Sequence, residues 1–127
     1  MNEWHTLRFA PAPGTPLCAG DAIAEGATKE FRFGGNSPFA FRLFIYNDNG
    51  IFRAFRNNCP HFDVPLNYAP DEIFTPDHRY FRCMTHNARF DKSTGDCVDG
   101  PCMGQALEPI PLALDAGMLL VGAITDQ

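Results

Sequence analysis

Hydrophobic side chains recur with a period of two along much of this chain, and that pattern predicts β-strands. The clearest case is the stretch FAFRLFIY, residues 39–46, in which successive side chains fall on opposite faces of a strand. One face carries Phe39, Phe41, Leu43 and Ile45, and the other carries Ala40, Arg42, Phe44 and Tyr46. Since apolar residues dominate both faces, we expect this strand to be largely buried.

Turn residues separate this strand from several shorter ones. Asn49-Gly50 tolerates the positive φ angles of a tight hairpin turn, so the next segment is expected to return as a paired strand. Asp115-Ala116-Gly117 is expected to close a last hairpin. Helical periodicity is weak throughout, and one turn at residues 70–74 is the only helical candidate. The further predicted strands are 28–33, 51–56, 79–82, 112–114 and 118–124.

These elements predict an all-β protein of eight to ten short strands. The chain has 127 residues and is 45% hydrophobic, so it is long and apolar enough to form one folded domain without disulfides. We expect a single domain over residues 1–127. The segment from about 57 to 105 is expected to form a smaller subdomain inserted into it.

Charge and hydrophobicity narrow the possible partners and location. The formal net charge of −5 disfavours nucleic acid and favours docking on a basic protein surface. The longest apolar run, GMLLVGAI, is too short to span a bilayer, and no signal-peptide pattern is visible near residue 1. We therefore expect a cytoplasmic protein with no membrane partner, in which cysteines are metal ligands or free thiols.

Two short motifs each combine one cysteine with one histidine. Cys59 and His61 form a C-x-H motif, and Cys83 and His86 form a C-x-x-H motif. Structural zinc sites usually pair cysteine with cysteine and histidine with histidine, whereas here each loop offers one sulfur and one nitrogen. This arrangement suits a two-iron cluster with two different irons, although a zinc-stabilised module remains an alternative.

With its surrounding residues, this pattern resembles the Rieske-type [2Fe-2S] ferredoxins, over about residues 54–112. The resemblance implies a Rieske-like antiparallel β sandwich or barrel with one [2Fe-2S] cluster per chain. It implies that Cys59 and Cys83 bind an inner iron. It also implies that His61 and His86 bind an outer iron near the surface. The residues that carry the resemblance are Cys59-Pro60-His61, Cys83-Met84-Thr85-His86, Phe90-Asp91, Thr94-Gly95 and Gly100-Pro101.

The chain departs from the usual family pattern at both loops. Between His61 and Cys83 lie 21 residues, a few more than is usual, and we expect the excess to form a surface excursion. Asn87 stands where the family commonly has glycine. Because asparagine tolerates positive φ better than most residues, we expect the turn to be preserved.

Other departures concern the redox potential. High-potential family members have an extra cysteine in each loop, joined as a disulfide, and here Val64 and Thr85 stand at the matching positions. Ala88 and Phe90 replace a serine and a tyrosine that donate hydrogen bonds to sulfur. The resemblance therefore implies a low Rieske potential, roughly −150 mV. Ligation by two histidines further predicts a potential that falls at alkaline pH.

The remaining cysteines and histidines have simpler interpretations. Cys97 and Cys102 have two functional interpretations, as a redox pair or as thiols close to the cluster. The simpler interpretation, which we favour, is that they are two small, partly buried apolar residues. Cys18 is expected to have no role. His5 and His78 are expected to be surface residues and not metal ligands.

The sequence predicts an electron-transfer component and not an enzyme in its own right. It has neither a second iron site of two histidines and a carboxylate nor a glycine-rich dinucleotide motif. The main hypothesis is a soluble ferredoxin that carries one electron from a reductase to a terminal oxygenase or related redox enzyme. A Rieske-like small subunit of a multisubunit reductase, such as nitrite reductase, is the alternative.

Overall fold

The computed structural model describes residues 3–60, 64–67, 72–84 and 87–123. These residues form nine strands and two short 3-10 helices, which confirms the all-β prediction and the expected number of strands. No helix in the described ranges is long and apolar enough to cross a membrane. The helices are Trp4–Thr6 and Gly20–Ala22. The strands are β1 Pro16–Ala19, β2 Thr28–Phe33, β3 Phe41–Asp48, β4 Ile51–Arg56, β5 Tyr80–Arg82, β6 Arg89–Asp91, β7 Cys97–Asp99, β8 Leu112–Asp115 and β9 Met118–Val121.

The chain divides into two compact units. The first unit consists of Met1–Arg56 and Pro109–Gln127, and the second is the intervening segment Asn57–Glu108. The first unit holds two antiparallel three-stranded sheets, in the orders β1-β9-β8 and β2-β3-β4. The second unit holds one antiparallel sheet in the order β5-β6-β7. That all of these sheets belong to a single domain, with an inserted subdomain of about 57–105, remains a prediction.

Strand β3 is the central strand of its sheet and is buried on both faces. On one face, Phe41, Leu43 and Ile45 belong to the core of the first unit. On the other face, Phe44 and Tyr46 are buried as well, which explains why apolar residues occupy both sets of alternate positions. The other buried members of the core are Trp4, Ile23, Ala54, Ile110, Leu119 and Val121.

The prediction for Phe39 was wrong. Strand β3 begins at Phe41, and Phe39 lies before it with 66% of its surface exposed. Its ring is 5.4 Å from the Arg8 guanidinium, a cation–π contact available at the surface. The turn before the strand extends to Phe39, so the strand begins two residues later than the sequence pattern suggests.

Both predicted hairpins are present. Asn49 and Gly50 have φ angles of 52° and 91°, and the flanking residues Asp48 and Ile51 pair across the turn. In the last hairpin, Asp115 belongs to β8 and pairs with Met118. Strand β9 ends at Val121, before the predicted limit of 124, because Pro111, opposite Gly122 in the register, accepts the Gly122 N–H but has no N–H to donate in return. Residue 124 lies outside the described ranges.

The second unit is built on a small sheet with an aromatic interior. Phe81 in β5 is paired with Phe90 in β6, and both side chains are fully buried. Phe74 forms an isolated bridge with Phe81, and their ring centroids are 5.7 Å apart. The described part of the suggested helical turn, residues 72–74, is therefore not helical, because Phe74 joins the edge of this sheet. Residues 70 and 71 lie outside the described ranges.

Candidate metal centre

The first loop, residues 57–67, begins directly after β4 and contains Cys59. The Cys59 side chain is fully buried, and its N–H donates to the Val64 carbonyl at 2.6 Å. This bond closes the loop around residues 61–63, which lie outside the described ranges together with the predicted ligand His61. The backbone thus holds the thiol of Cys59 inside the unit, at the start of a short closed loop.

Two buried asparagines support the first loop. Asn57 and Asn67 are 3% and 4% exposed, and the Asn57 side-chain amide donates to Asn67 Oδ1 at 2.8 Å. The Asn57 Oδ1 atom also accepts the N–H of Leu66 at 2.8 Å. One side chain therefore joins the beginning of the loop to its end, and buried hydrogen bonds of this kind fix a conformation that has no regular secondary structure.

The second loop, residues 83–88, begins at Cys83, directly after β5. Cys83 is fully buried, and its N–H donates to the Ala88 carbonyl at 2.9 Å. The Asn87 N–H in turn donates to the Cys83 carbonyl at 2.7 Å. Asn87 has a φ of 58°, which confirms that asparagine supplies the left-handed conformation expected there. Thr85 and His86 lie outside the described ranges.

A backbone hydrogen bond joins the two loops. The N–H of Met84, the residue after Cys83, donates to the carbonyl of Leu66 at 2.7 Å. Each loop is thus closed by its own bonds and tied to the other within the second unit. Two buried thiols at the starts of two connected loops form the sulfur half of the predicted site.

A third segment packs against the second loop. Gly100 has a φ of 105°, and a Cβ atom built on it would lie 2.8 Å from the Ala88 Cα. Only glycine allows the backbone to approach so closely in this conformation. The Gly100-Pro101 segment of the predicted motif therefore covers the backbone next to the second loop.

The same segment carries the two remaining cysteines of the second unit. The Cys102 thiol donates to the Cys97 sulfur at 2.6 Å, and the Cys97 thiol donates to the Asp99 carbonyl at 3.4 Å. Burial raises the pKa of the Cys102 thiol, and the hydrogen bond with Cys97 and the charges of Cys97 and Cys59 raise it further. Cys102 is therefore a protonated donor at neutral pH. This direct contact between two thiols was not derivable from sequence, because their spacing does not give the course of the loop.

Cys18, His5 and His78 belong to other segments of the chain. Cys18 is in β1 of the first unit, where partial burial raises the pKa of its thiol. His5 is in the first 3-10 helix, and the His78 ring stacks on Phe74 with a centroid distance of 4.6 Å. Within the described ranges, which omit residues 61 and 86, no three histidine, cysteine, aspartate or glutamate side chains are grouped as a metal site.

Known proteins support the same family on independent grounds. The model of the Rieske [2Fe-2S] domain matches residues 14–114 of this chain. No curated protein sequence matched it.

Among solved structures, the chain resembles the ferredoxin of carbazole 1,9a-dioxygenase from Nocardioides aromaticivorans IC177, with a TM-score of 0.64 and 21% identity over 87% of this chain and 98% of that one. A chain in the complex of reduced oxygenase and oxidised ferredoxin in carbazole 1,9a-dioxygenase has a TM-score of 0.64 and 21% identity, over 84% of this chain and 99% of that one. The terminal oxygenase of carbazole 1,9a-dioxygenase from Novosphingobium sp. KA1 has a TM-score of 0.70 and 17% identity, over 95% of this chain and 31% of that one. These similarities establish a shared fold.

Proposed function

Since the chain belongs to the Rieske [2Fe-2S] domain family, we propose that it carries single electrons from a protein reductase to a terminal oxygenase or related redox enzyme. The observation that carries this proposal is the pair of buried thiols, Cys59 and Cys83, at the starts of two hydrogen-bonded loops in a chain that matches the Rieske domain. The matched fold corresponds to 98% of a dioxygenase ferredoxin and to 31% of a terminal oxygenase. A fold that makes up nearly all of a ferredoxin fits the role of an electron carrier.

The cofactor of this family is a [2Fe-2S] cluster, which supplies one-electron oxidation and reduction when bound. The residues present fit it. Cys59 and Cys83 place two buried thiols at the starts of two loops that a hydrogen bond connects, and thiolates are the sulfur ligands of iron. We propose that these two cysteines hold the inner iron. We propose His61 and His86 as the ligands of the outer iron, on the strength of their spacing from the cysteines.

The chain's own contribution is to hold these ligands in place. The bonds from Cys59 to Val64, from Cys83 to Ala88 and from Met84 to Leu66 fix the backbone at the described ends of both loops. A backbone fixed in this way moves little when the charge at the site changes. Small movement lowers the cost of moving an electron in either direction, as a carrier requires.

The surroundings of the second loop support a low potential. Ala88 and Phe90 are both fully buried, and neither side chain has a hydrogen-bond donor. Donors near cluster sulfur stabilise the reduced form, so their replacement by alanine and phenylalanine lowers the potential. We propose a midpoint near the low end of the Rieske range, roughly −150 mV.

The proposal is tested on protein purified without oxygen. Iron and acid-labile sulfide should be present in equal amounts, and a redox titration should fit a one-electron step. The protein should also be added to a flavin reductase and a dioxygenase from which the dioxygenase's own ferredoxin has been omitted. It should then restore electron transfer from the reductase to the dioxygenase. Protein that lacks iron and sulfide, or that titrates in a two-electron step, contradicts the proposal. Copurification with a large reductase subunit would instead identify it as a subunit of that enzyme.

The pH dependence of the midpoint tests the histidine ligands separately. An imidazole bound to iron loses its second ring proton more readily in the oxidised protein, so the midpoint should fall as the pH becomes alkaline. A midpoint that stays flat from about pH 6 to about pH 11 would count against His61 and His86.

A cytoplasmic location is part of the proposal. None of the five cysteines forms a disulfide in the structure, as is typical of a reducing compartment.

A further inference from the structure

Cys97 and Cys102 lie in sulfur-to-sulfur contact inside the second unit. Their Sγ atoms are 2.6 Å apart, and the side chains are 7% and 0% exposed. Non-bonded heavy atoms pack best at about 3.5–4.0 Å, whereas sulfurs in a disulfide are about 2.05 Å apart. Two small residues that merely fill space would not approach so closely. We propose that Cys97 and Cys102 form a reversible disulfide, which braces the segment that covers the second loop.

The backbone around the two cysteines is already closed. The Cys97 N–H donates to the Gln105 carbonyl at 2.9 Å, and the Gln105 N–H donates to the Cys102 carbonyl at 2.9 Å. These bonds hold both ends of the turn in register. The chain therefore needs to move by only about half an ångström at the sulfurs to form the bond.

A hydrogen peroxide molecule can supply the oxidation. The Cys97 sulfur gives up its proton and attacks one peroxide oxygen, the O–O bond breaks, and the leaving hydroxide takes a proton to become water. Cys97 is now a sulfenic acid. The Cys102 sulfur then attacks Cys97, the S–O bond breaks, and a second water leaves with the Cys102 proton. Two thiols and one peroxide thus give one disulfide and two waters.

The structure assigns different roles to the two thiols. Cys97 retains a small exposed fraction and accepts the hydrogen bond of Cys102. Cys102 is fully buried, so a peroxide in solvent reaches Cys97 first. Cys97 is therefore the residue that peroxide oxidises, and Cys102 is the residue that resolves it.

The disulfide would span the contact with the second loop. Gly100 lies between the two cysteines and packs against Ala88, whose carbonyl accepts the N–H of Cys83. A covalent bond across residues 97–102 removes alternative conformations of this segment. The oxidised protein should consequently hold its second loop, and any iron bound there, more firmly than the reduced protein.

Peptide mapping tests the bond directly, whether or not the protein carries electrons. No lysine or arginine follows Lys92, so trypsin releases residues 93–127 as one peptide that contains Cys97 and Cys102 and no other cysteine. The purified holoprotein is treated with hydrogen peroxide, denatured with an alkylating agent and digested. The peptide should become mostly non-alkylated, with a mass two hydrogens below that of the same peptide with two free thiols. The visible absorption of the protein should persist during this treatment. A reducing agent should restore both thiols.

Cys18 provides an internal control, because trypsin places it alone in the peptide of residues 9–29. The proposal is overturned if the 93–127 peptide stays fully alkylated at a dose that oxidises Cys18. It is also overturned if Cys97 accumulates as sulfinic acid without a disulfide, or if the disulfide forms only after the visible absorption is lost.

Variants separate the two roles and test the brace. Cys102→Ala should leave a sulfenic acid on Cys97 that dimedone traps, whereas Cys97→Ala should leave Cys102 unmodified.

Peroxide pretreatment should slow the release of iron to a chelator several-fold in the wild type and in Cys18→Ala. It should have no such effect in the Cys97→Ala/Cys102→Ala double variant. Equal release rates from treated and untreated wild-type protein would disprove the brace.

Discussion

Two kinds of residue define the candidate centre, and the sequence reveals only one kind. The cysteines at 59 and 83 were identifiable because thiols at a characteristic distance from histidines have few other uses. The buried asparagines Asn57 and Asn67 were not identified, since an asparagine in a loop usually hydrogen-bonds to water or to its own backbone. Their pairing depends on a contact across ten residues, which only the folded loop brings together.

Asn57 supports a prediction about the first loop. Asn57→Ala removes the hydrogen bonds to Asn67 and to the Leu66 N–H, both of them buried. We expect a loss of about 2 kcal/mol in the free energy of unfolding, measured by chemical denaturation of the holoprotein. The exposed Asn36 offers a control, and Asn36→Ala should change stability by less than about 0.5 kcal/mol. Equal effects of the two substitutions would show that the buried pair does not support the loop.

Gly100 supports a prediction about the covering segment. Gly100→Ala places a Cβ atom 2.8 Å from the Ala88 Cα, at a φ of 105°. Gly104 is a matched control with a φ of 92°, because a Cβ atom there meets nothing within 4 Å. Gly104→Ala should cost about 1 kcal/mol from backbone strain alone. Gly100→Ala should cost about 1–3 kcal/mol more, because overpacking adds to the strain.

Thermal denaturation of both glycine variants measures the difference. We also expect Gly100→Ala to release iron faster than Gly104→Ala, since it displaces the segment that packs on the second loop. If the two variants are equally stable, the close approach at Ala88 is not what requires glycine.

At the scale of elements, alternation and turn chemistry predicted most strands but not all of their ends. Strand β2 was predicted at its observed bounds, and β4 followed from Asn49-Gly50 because few other residue pairs suit that turn. The first residue of β3 and the last residue of β9 were wrong, since strand ends depend on which N–H groups find partners in the sheet. Strands β1, β6 and β7 were missed, because segments of three or four residues are too short to show a clear period.

The small sheet of the second unit gives a prediction at this scale. Phe90 in β6 is fully buried and paired with Phe81, whereas Val98 in the neighbouring β7 is 42% exposed. Phe90→Leu should lower the free energy of unfolding by about 1–2 kcal/mol, because it leaves a small cavity in the aromatic interior. Val98→Ala should change it by less than about 0.5 kcal/mol. A larger loss for Val98→Ala in urea denaturation would contradict the assignment of the core.

At the scale of the whole molecule, the sequence predicted a family and the classes of its redox partners, but not which proteins those partners are. The spacing of the cysteines and histidines was sufficient to predict the family, because the geometry of the cofactor determines how far apart its ligands lie in the sequence. A docking surface has no comparable pattern, since its residues come from separate parts of the chain. Charge gives a partial answer, because residues 57–108 contain eight acidic and four basic side chains and so hold most of the net charge.

This charge predicts how electron transfer depends on salt. With cytochrome c as a basic acceptor, the second-order rate should fall by roughly tenfold between about 0.03 M and about 0.5 M ionic strength. Removing the exposed charges of Asp96 and Asp99 by substitution with asparagine should lower the rate at low salt. The same change in charge at the exposed Asp21 and Glu25, in the first unit, should have less effect. A rate independent of salt would contradict acidic docking by the second unit.

The central claim is that Cys59, His61, Cys83 and His86 hold one [2Fe-2S] cluster with sulfur on one iron and nitrogen on the other. Pulsed electron paramagnetic resonance of the chemically reduced protein tests it most directly, because it detects nitrogen bound to the reduced iron. The account predicts a rhombic signal with couplings to two imidazole nitrogens, and the loss of one coupling in the corresponding histidine variant. A reduced cluster without nitrogen couplings, or protein with no signal at all, would contradict the account.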